Sequence, residues 1–460
     1  MVMLSTDVSY NKRLAQCICA IVWCLFSGGP IFGFAALKPI LIKEHVYENL
    51  CDFNTSNVTS GSAKCSKQDL KLNMIFTVAA VLTNISALPI GRVLDVYGPK
   101  VCGLIGATFL YIASFTFIYS NQLEYYIDPY MIGYSCLALG GPFAFISSFQ
   151  LSNSFPQKSG TILAVITGAF DASSALFLVY QLIYNKLGSF ELREFFAIYL
   201  IVPTFITMTQ LTIMPNESYT TSIEVNESTP LRRNSMGEAI RHTYDDENIV
   251  EHSGVFGILH GLTSKQQILT YWFLLICLFS TIQMLRINYF VATIGSQYQY
   301  IFNDTKIAES INKFFDLALP LGGIISIPFI GIFLDNCSTV LVLSGLLTIS
   351  ILIGVFGLFA NFSIAILGVC LFVCYRPLFY TTISDVCAKV FGFETFGTVY
   401  GLIICFSGII NYGQSYLDEL THTYFKMNPI PINLILIGIS LIIGLITVIY
   451  IDYQAKLYRK

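Results

Sequence analysis

Twelve stretches of mostly apolar residues follow one another along this chain of 460 residues. A helix needs about 20 such residues to cross the roughly 30 Å hydrocarbon core of a bilayer, and each stretch is long enough. The composition agrees, with 55% hydrophobic and only 12% charged residues. The stretches are 14–42, 70–91, 101–120, 126–151, 159–184, 194–214, 267–293, 307–333, 339–360, 363–385, 396–416 and 431–452. The sequence therefore predicts an all-α membrane protein with twelve transmembrane helices.

One long polar segment separates the first six stretches from the last six. Residues 215–266 are rich in Asn, Glu, Ser, Thr and Arg, a composition that buries too little apolar surface to fold alone. We therefore predict an N-terminal six-helix bundle over 1–214, a linker over 215–266 and a C-terminal six-helix bundle over 267–460. Residues 254–261, near the end of the linker, are apolar but too short to span, so we expect them to lie on the membrane surface.

The loop after the first stretch carries candidate covalent modifications. The distribution of Lys and Arg places the N-terminus and the linker in the cytosol, so this loop is outside. Cys51 and Cys65 flank two Asn-x-Ser/Thr sequons, at Asn54 and Asn57. A disulfide and N-glycosylation are the candidates, and two unpaired thiols are the alternative for the cysteines. Both modifications require the secretory route, which favours a vacuolar or plasma membrane.

A short polar motif lies at the same point of each half. Gly91-x-x-x-Asp95 follows the second stretch and Gly331-x-x-x-Asp335 follows the eighth. Glycine permits a tight turn and close approach of helix ends, while Asp and Lys are suited to cap helix termini or to pair with charges. We interpret these residues as a conformational latch: Gly91, Asp95, Gly98, Lys100, Gly331 and Asp335.

Gly-Gly-Pro occurs about halfway along both the first and the fourth stretch. Glycine and proline weaken or kink helices, and breaks at corresponding places of repeated units indicate a binding site near the membrane midplane. Close packing between helices is the alternative. The candidate substrate-binding residues here are Gly28, Gly29, Phe32, Gly140 and Gly141.

Ionisable residues inside a membrane span cost about 2.5–3.5 kcal/mol each on insertion scales, so each one indicates a function. Asp171 lies at mid-depth in the fifth stretch and Arg376 at mid-depth in the tenth. Because they belong to different halves, they are suited to bind the ammonium and the carboxylate of a zwitterion. A direct Asp171–Arg376 gate is the alternative, and a buried carboxylate is also suited to proton coupling.

Arg286 and Asp316 occur at similar depths in the seventh and eighth stretches. Neighbouring helices joined by a short loop bring residues of equal depth together, so we predict a structural ion pair between them. Lys38 lies near the outer end of the first stretch, where we expect its ammonium group to reach the interface.

Known catalytic motifs are missing from the sequence, including His-Glu-x-x-His, Gly-x-Ser-x-Gly and the P-loop. No basic patch favours nucleic acid. We therefore expect no enzyme, no metal, no cofactor and no nucleic-acid partner. The expected partners are a small-molecule substrate and membrane lipid, with no obligate protein partner evident.

The segment from Gly91 to Lys100 resembles the cytosolic motif of the major facilitator superfamily. That motif reads glycine, three residues, aspartate, a basic residue, one residue, glycine, one residue and a basic residue, and here Val96 replaces the first basic residue. The resemblance implies the major facilitator fold, with two six-helix bundles that work by alternating access.

Five runs further resemble solute-carrier family 43 and its fungal relatives: 70–77, 146–156, 166–175, 283–289 and 375–380. This resemblance implies facilitative, sodium-independent movement of large neutral amino acids. Candidate substrate-binding residues in these runs are Asp171, Ser173, Asn288, Tyr289, Tyr375 and Arg376. Asp171 departs from the uncharged residue expected in the animal carriers. Two alternatives therefore stay open, a proton-coupled carrier of another small organic solute and a non-transporting membrane nutrient sensor.

Overall fold

The computed structural model describes residues 3–4, 8–51, 66–187, 190–220 and 254–458. Within these ranges, eleven helical runs are long and apolar enough to cross a membrane. One of them, Leu70–Ile118, has 49 residues. A straight helix of that length would measure on the order of 70 Å, more than twice a hydrocarbon core. Gly98 breaks it with φ 81° and ψ 172°, so the run holds the second and third crossings. The prediction of twelve crossings is confirmed.

Crossings one to six are called the N-terminal half below, and crossings seven to twelve the C-terminal half. The helices of the N-terminal half are Tyr10–Ser27, Phe34–Lys43, Ser66–Ile85, Ala87–Ile118, Ser120–Leu123, Pro129–Ser148, Ser159–Ala172, Leu176–Leu187, Leu192–Tyr199 and Ile201–Thr212. Those of the C-terminal half are Ser264–Ile268, Tyr271–Phe302, Thr305–Asn336, Thr339–Phe356, Phe362–Phe391, Phe396–Ile410, Gly413–Thr423 and Ile430–Tyr458. Met3–Leu4 and Tyr219–Thr220 form a short parallel strand pair.

The first and fifth crossings are broken helices whose breaks touch. Tyr10–Ser27 ends at the first Gly-Gly-Pro, and a 3-10 turn, Pro30–Gly33, leads into the next helix. In the fifth crossing, a 3-10 turn begins at Ser173. The Gly29 N–H donates to Ser173 Oγ at 2.6 Å. A backbone group freed by the first break is therefore satisfied by a side chain at the second.

The second Gly-Gly-Pro leaves its helix intact, since Pro129–Ser148 continues through Pro142. Gly140 and Gly141 are buried there. A Cβ at Gly141 would lie 2.4 Å from the Gly28 carbonyl oxygen, and one at Gly140 would lie 2.8 Å from the Leu110 side chain. The close packing of helices that was the alternative for this motif is therefore present, and a role of Gly140 and Gly141 in substrate binding stays a prediction.

The end of the linker packs against protein and not along a membrane surface as expected. Val255 and Leu259 are buried. The N–H of Gly257 donates to the Lys389 carbonyl at 3.0 Å, and the N–H of Leu259 donates to the Val390 carbonyl at 3.1 Å. The last carbonyls of a helix lack partners within it, and this segment supplies them for the helix Phe362–Phe391. Residues 254–260, called the docked segment below, therefore belong to the C-terminal half.

Protonation of His260 should release the docked segment. Burial lowers the pKa of His260 from 6.5 to about 4, although hydrogen bonding to the Lys389 carbonyl favours the charged form. Docking is therefore strongest above pH 6.5 and is lost as the pH falls towards 4. We expect amide hydrogen exchange in residues 254–260, corrected for its intrinsic pH dependence, to accelerate about 30-fold between pH 7.5 and pH 5. His260→Gln keeps a polar side chain that does not titrate, and equal acceleration in this variant would contradict the assignment.

Candidate functional site

Asp95 caps a helix of the opposite half. Its carboxylate accepts the N–H of Gly397 at 2.8 Å and the N–H of Thr398 at 2.6 Å. Both groups belong to the first turn of the helix Phe396–Ile410, where backbone N–H groups lack partners within the helix. A carboxylate at this position also interacts favourably with the helix dipole. Asp95 therefore joins the second crossing to the eleventh.

Asp335 makes the equivalent contact in the other direction. Its carboxylate accepts the N–H of Gly160 at 2.8 Å, the N–H of Thr161 at 3.1 Å and the Thr161 hydroxyl. Gly160 and Thr161 lie in the first turn of the helix Ser159–Ala172. Each Gly-x-x-x-Asp motif thus caps the start of a helix in the other half. We call the end of the protein that carries Asp95 and Asp335 the latch end.

The glycines of the two motifs permit this close approach. A Cβ at Gly91 would lie 1.8 Å from the Gly397 carbonyl oxygen, and one at Gly331 would lie 2.9 Å from the Thr161 Cα. Neither obstacle is a flexible side chain, so any larger residue would push the crossings apart. The halves also pack closely further in from the latch end. At that level, a Cβ at Gly168 would lie 2.3 Å from the Ile327 side chain.

Gly98 and Lys100 lie next to Asn216, at the start of the linker. Gly98 forms the turn between the second and third crossings with positive φ, and Lys100 Nζ donates to Asn216 Oδ1 at 3.1 Å. Neither contact crosses between the halves, and the part of Gly98 and Lys100 in the latch stays a prediction. Val96, which replaces the usual basic residue, is 52% exposed.

Removing either capping carboxylate should loosen only the helix that it caps. An N-cap side chain contributes about 0.5–2 kcal/mol, so we expect Asp95→Ala to accelerate exchange at the amides of Gly397 and Thr398 by about twofold to 30-fold. Asp335→Ala should do the same at Gly160 and Thr161. Each variant is the control for the other in hydrogen exchange followed by mass spectrometry. Unchanged exchange at the capped amides would show that the carboxylate does not stabilise them.

Asp171 and Arg376 meet between the halves at mid-depth. Arg376 Nη2 lies 3.7 Å from Asp171 Oδ1, and the two side chains are only 14% and 4% exposed. This separation is longer than a hydrogen bond, and Asp171 Oδ1 has no hydrogen-bond partner among the described residues. The direct gate considered from the sequence is thus the arrangement in this structure. The Oδ1 atom of Asp171 can therefore still accept a hydrogen bond.

Aromatic rings line the same place. The Arg376 guanidinium lies 5.8 Å from the centre of the Phe32 ring, a cation–π distance. Phe32 in turn lies 6.1 Å from Phe170, which lies 4.4 Å from Phe145 between ring centres. Phe170 also covers Gly28 and Gly29 in the break of the first crossing. Charged groups and an apolar surface therefore adjoin at the junction of the halves.

The predicted ion pair between Arg286 and Asp316 is absent, and the prediction was wrong. Arg286 points into the C-terminal half, where its guanidinium donates to Ser350 Oγ at 2.5 Å, to Ser440 Oγ at 3.2 Å and to the Ser350 carbonyl at 2.8 Å. Asp316 is exposed on the eighth crossing, with the Asn312 amide at 3.4 Å. Equal depth on two helices does not fix their rotation, and these two side chains face different directions.

Three further candidate residues lie away from Asp171. Tyr375 donates to Gln283 Oε1 at 2.8 Å and belongs to the hydrogen-bond network around Arg286. Asn288 donates to Asn411 at 3.1 Å, and the buried Tyr289 hydroxyl lies 2.9 Å from the Thr421 hydroxyl. The structure therefore gathers Gly28, Gly29, Phe32, Asp171, Ser173 and Arg376 in one place and leaves Asn288, Tyr289 and Tyr375 outside it.

The sequence analysis missed the polar network inside the C-terminal half. Gln283, Ser350 and Ser440 are buried and bonded to one another or to Arg286. The available signal was a glutamine and serines inside apolar stretches, since polar side chains at such depth are expensive without partners.

Most of the outer loop lies outside the described residues. Cys65, Asn54 and Asn57 are in this part. Cys51 is disulfide-bonded. Its pairing with Cys65 and the two glycosylation sites stay predictions.

Twelve crossings in two halves, joined by reciprocal carboxylate caps and by a buried charge pair at mid-depth, define a membrane carrier of the two-bundle class. The sequence profile of the Major Facilitator Superfamily matches residues 24–411. The chain belongs to that superfamily.

Similar proteins match the chain over different shares of its length. It is 47% identical to Protein FMP42 of Saccharomyces cerevisiae over 96% of this chain and 95% of that protein. It is 32% identical to equilibrative nucleobase transporter 1 of Bos taurus, over 38% of this chain and 36% of that protein. It is 28% identical to the large neutral amino acids transporter small subunit 3 of Mus musculus, over 38% and 32% of the two chains.

Solved structures share the fold across the whole length. The proton:xylose symporter XylE superposes with a TM-score of 0.60 at 14% identity, covering 96% of both chains. The human organic anion transporter MFSD10 gives a TM-score of 0.61 at 12% identity, covering 95% of this chain and 99% of that one. Identities this low show the shared fold alone.

Proposed function

We propose that this protein is a facilitative transporter of large neutral amino acids that works by alternating access. The bundles 1–214 and 267–460 move against each other around the Asp171–Arg376 pair. The observation that carries the proposal is the pair itself, because it joins the halves at mid-depth through a contact of 3.7 Å that lacks hydrogen-bond geometry. A ligand that satisfies both charges better than they satisfy each other will separate them.

A zwitterion supplies both missing partners. The carboxylate of an amino acid accepts two parallel N–H groups from the planar guanidinium of Arg376. Its ammonium group donates to Asp171 Oδ1, which lacks a hydrogen-bond partner among the described residues. The ligand then stands between the halves, in the place of the direct contact.

The aromatic surface beside the pair favours an apolar side chain on the substrate. Phe32, Phe145 and Phe170 form it, and the Phe170 ring covers the glycines of the first crossing. A leucine or phenylalanine side chain buried there gains roughly 25 cal/mol per Å² of apolar surface removed from water. A cationic side chain would instead bring its charge close to the guanidinium of Arg376, which adjoins Phe32. The partial match to a large neutral amino acid transporter supports the same class.

Closure at the latch end supports alternating access. The caps at Asp95 and Asp335 and the close contact at Gly91 hold the halves together on that side of the charge pair. With the latch end closed in this way, a substrate would have to reach the pair from the opposite side. When water replaces the hydrogen bonds that Asp95 and Asp335 accept, the latch end opens. This opening completes the transport cycle.

A nucleobase is the second candidate substrate. The 32% identity to a nucleobase transporter exceeds that to the amino acid transporter over a similar length. A flat ring stacks on aromatic side chains, and a ring N–H can donate to the free oxygen of Asp171. Asp171 is also suited to carry a proton, which would make the protein a proton-coupled carrier.

Counterflow into proteoliposomes separates these candidates. We expect radiolabelled leucine to exchange with internal leucine, isoleucine, phenylalanine and methionine but not with arginine or adenine. Arg376→Ala should reduce exchange at least tenfold, because a charge-assisted bidentate contact is lost. Arg286→Lys, outside the site, keeps its charge and is the matched control for a buried arginine.

Each other result assigns the protein differently. Exchange of adenine without leucine supports the nucleobase transporter. Normal leucine exchange by Arg376→Ala removes Arg376 from the site. Uptake that depends on pH in the parent protein but not in Asp171→Asn supports proton coupling. No movement of any solute by folded protein, together with a cytosolic partner of the linker, supports a nutrient sensor.

We further propose a vacuolar or plasma membrane as the location, on the basis of the outer loop with its cysteines and sequons. Glycosidase treatment of the protein and of Asn54→Gln and Asn57→Gln variants tests this. A mobility shift that the variants abolish supports the secretory route, and no shift argues against glycosylation.

A further inference from the structure

Arg286 carries a buried positive charge with no acidic partner among the described residues. Its neighbours are the hydroxyls of Ser350 and Ser440 and the Ser350 carbonyl, all of which are neutral. Tyr375 and Gln283 complete the network, also as neutral groups. An uncompensated guanidinium inside a membrane helix bundle costs several kcal/mol. A negative charge bound next to Arg286 would lower this cost.

A cavity adjoins this arginine. It lies among the seventh, ninth, tenth and twelfth crossings, and its polar lining consists of Arg286, Ser350, Tyr375, Tyr289, Gln297 and Asn433. The remaining lining is apolar, including Ile287, Phe290, Ile353 and Phe372. The cavity belongs to one half and is separate from the Asp171–Arg376 pair.

Several polar side chains that line the cavity already donate hydrogen bonds to other residues, and the positive charge of the lining comes from Arg286. Asn433 donates to Gln297 Oε1 at 2.9 Å, Gln297 donates to Thr293 Oγ1 at 2.6 Å, and the Tyr375 hydroxyl donates to Gln283. A guanidinium has five N–H groups, and three hydrogen bonds from Arg286 have been named above. The guanidinium therefore keeps donor capacity next to a mostly apolar space.

We propose that this cavity binds a small inorganic anion of the chloride class. Chloride carries a single charge, is weakly hydrated compared with a carboxylate, and is satisfied by one guanidinium together with amide or hydroxyl donors and apolar walls. Bound there, the anion neutralises Arg286 and joins four crossings of the C-terminal half. This inference is independent of the transported substrate, because the cavity does not lie between the halves.

Equilibrium binding of radiolabelled chloride to the purified full-length protein, in gluconate buffer, tests the proposal. We expect saturable binding of one chloride per chain, together with a higher Tm in chloride than in gluconate. Arg286→Gln should weaken chloride binding at least tenfold. Arg376→Gln changes a different buried arginine, which is outside the cavity, and should bind chloride as the parent protein does.

A second variant keeps the test valid if Arg286→Gln does not fold. Gly357 lines the cavity, and a Cβ there would meet its nearest neighbours at an ordinary 3.5 Å. Gly357→Val should therefore fold and weaken chloride binding by occupying space. Gly438→Val is its control, because a Cβ at Gly438 meets nothing within 4 Å.

The contrary results are equally specific. No saturable binding to the folded parent protein overturns the proposal, and so does unchanged binding in both Arg286→Gln and Gly357→Val. Competitive displacement of chloride by the transported amino acid also overturns it, since the substrate carboxylate would then occupy the cavity. Failure of leucine exchange with chloride binding intact would contradict the proposed function alone.

Discussion

Backbone N–H groups at the start of a helix need an acceptor, and in this protein the acceptor comes from the other half. Asp95 serves the eleventh crossing and Asp335 serves the fifth. Within a membrane protein, few alternatives to such a partner exist until water enters. Breaking the contact would therefore require solvent or another acceptor to take its place. The two carboxylates make reciprocal contacts between the halves at the latch end.

The charge pair at mid-depth is built differently from the caps. Each cap has hydrogen bonds of ordinary length, whereas Arg376 and Asp171 stand 3.7 Å apart. Arg286 differs again, since its hydrogen bonds hold it inside one half. A loosely satisfied pair exchanges partners at low cost, while a tightly bonded network does not. This difference is the physical reason to place the substrate at Arg376 and a resident anion at Arg286.

The number of crossings could be predicted because it depends on the length of apolar stretches alone. The contact between Asp171 and Arg376 could be anticipated because the two residues belong to different halves and lie at equal depth, which leaves few other partners for either charge. The same argument failed for Arg286 and Asp316. In that case, the rotation of each helix about its axis decided the contact, and depth carries no information about rotation.

Composition was also insufficient for the linker and for the repeated Gly-Gly-Pro. The apolar residues 254–261 fit a membrane surface and a protein surface equally well, and the unpaired carbonyls at the end of the tenth crossing decided between them. Gly141 fits a binding site and a packing contact equally well, and its packing against the carbonyl of Gly28 became visible only in the structure. In both cases a backbone group far away in the sequence supplied the missing information.

The contact between Gly91 and Gly397 has a practical consequence. Their backbones approach so closely that a single methyl group on Gly91 would fall 1.8 Å from a carbonyl oxygen. Such a methyl group acts as a wedge at one end of the molecule and touches nothing near Asp171. One alanine substitution would thus yield a chain enriched in the conformation with its latch end open, a starting material for capturing the other half of the transport cycle.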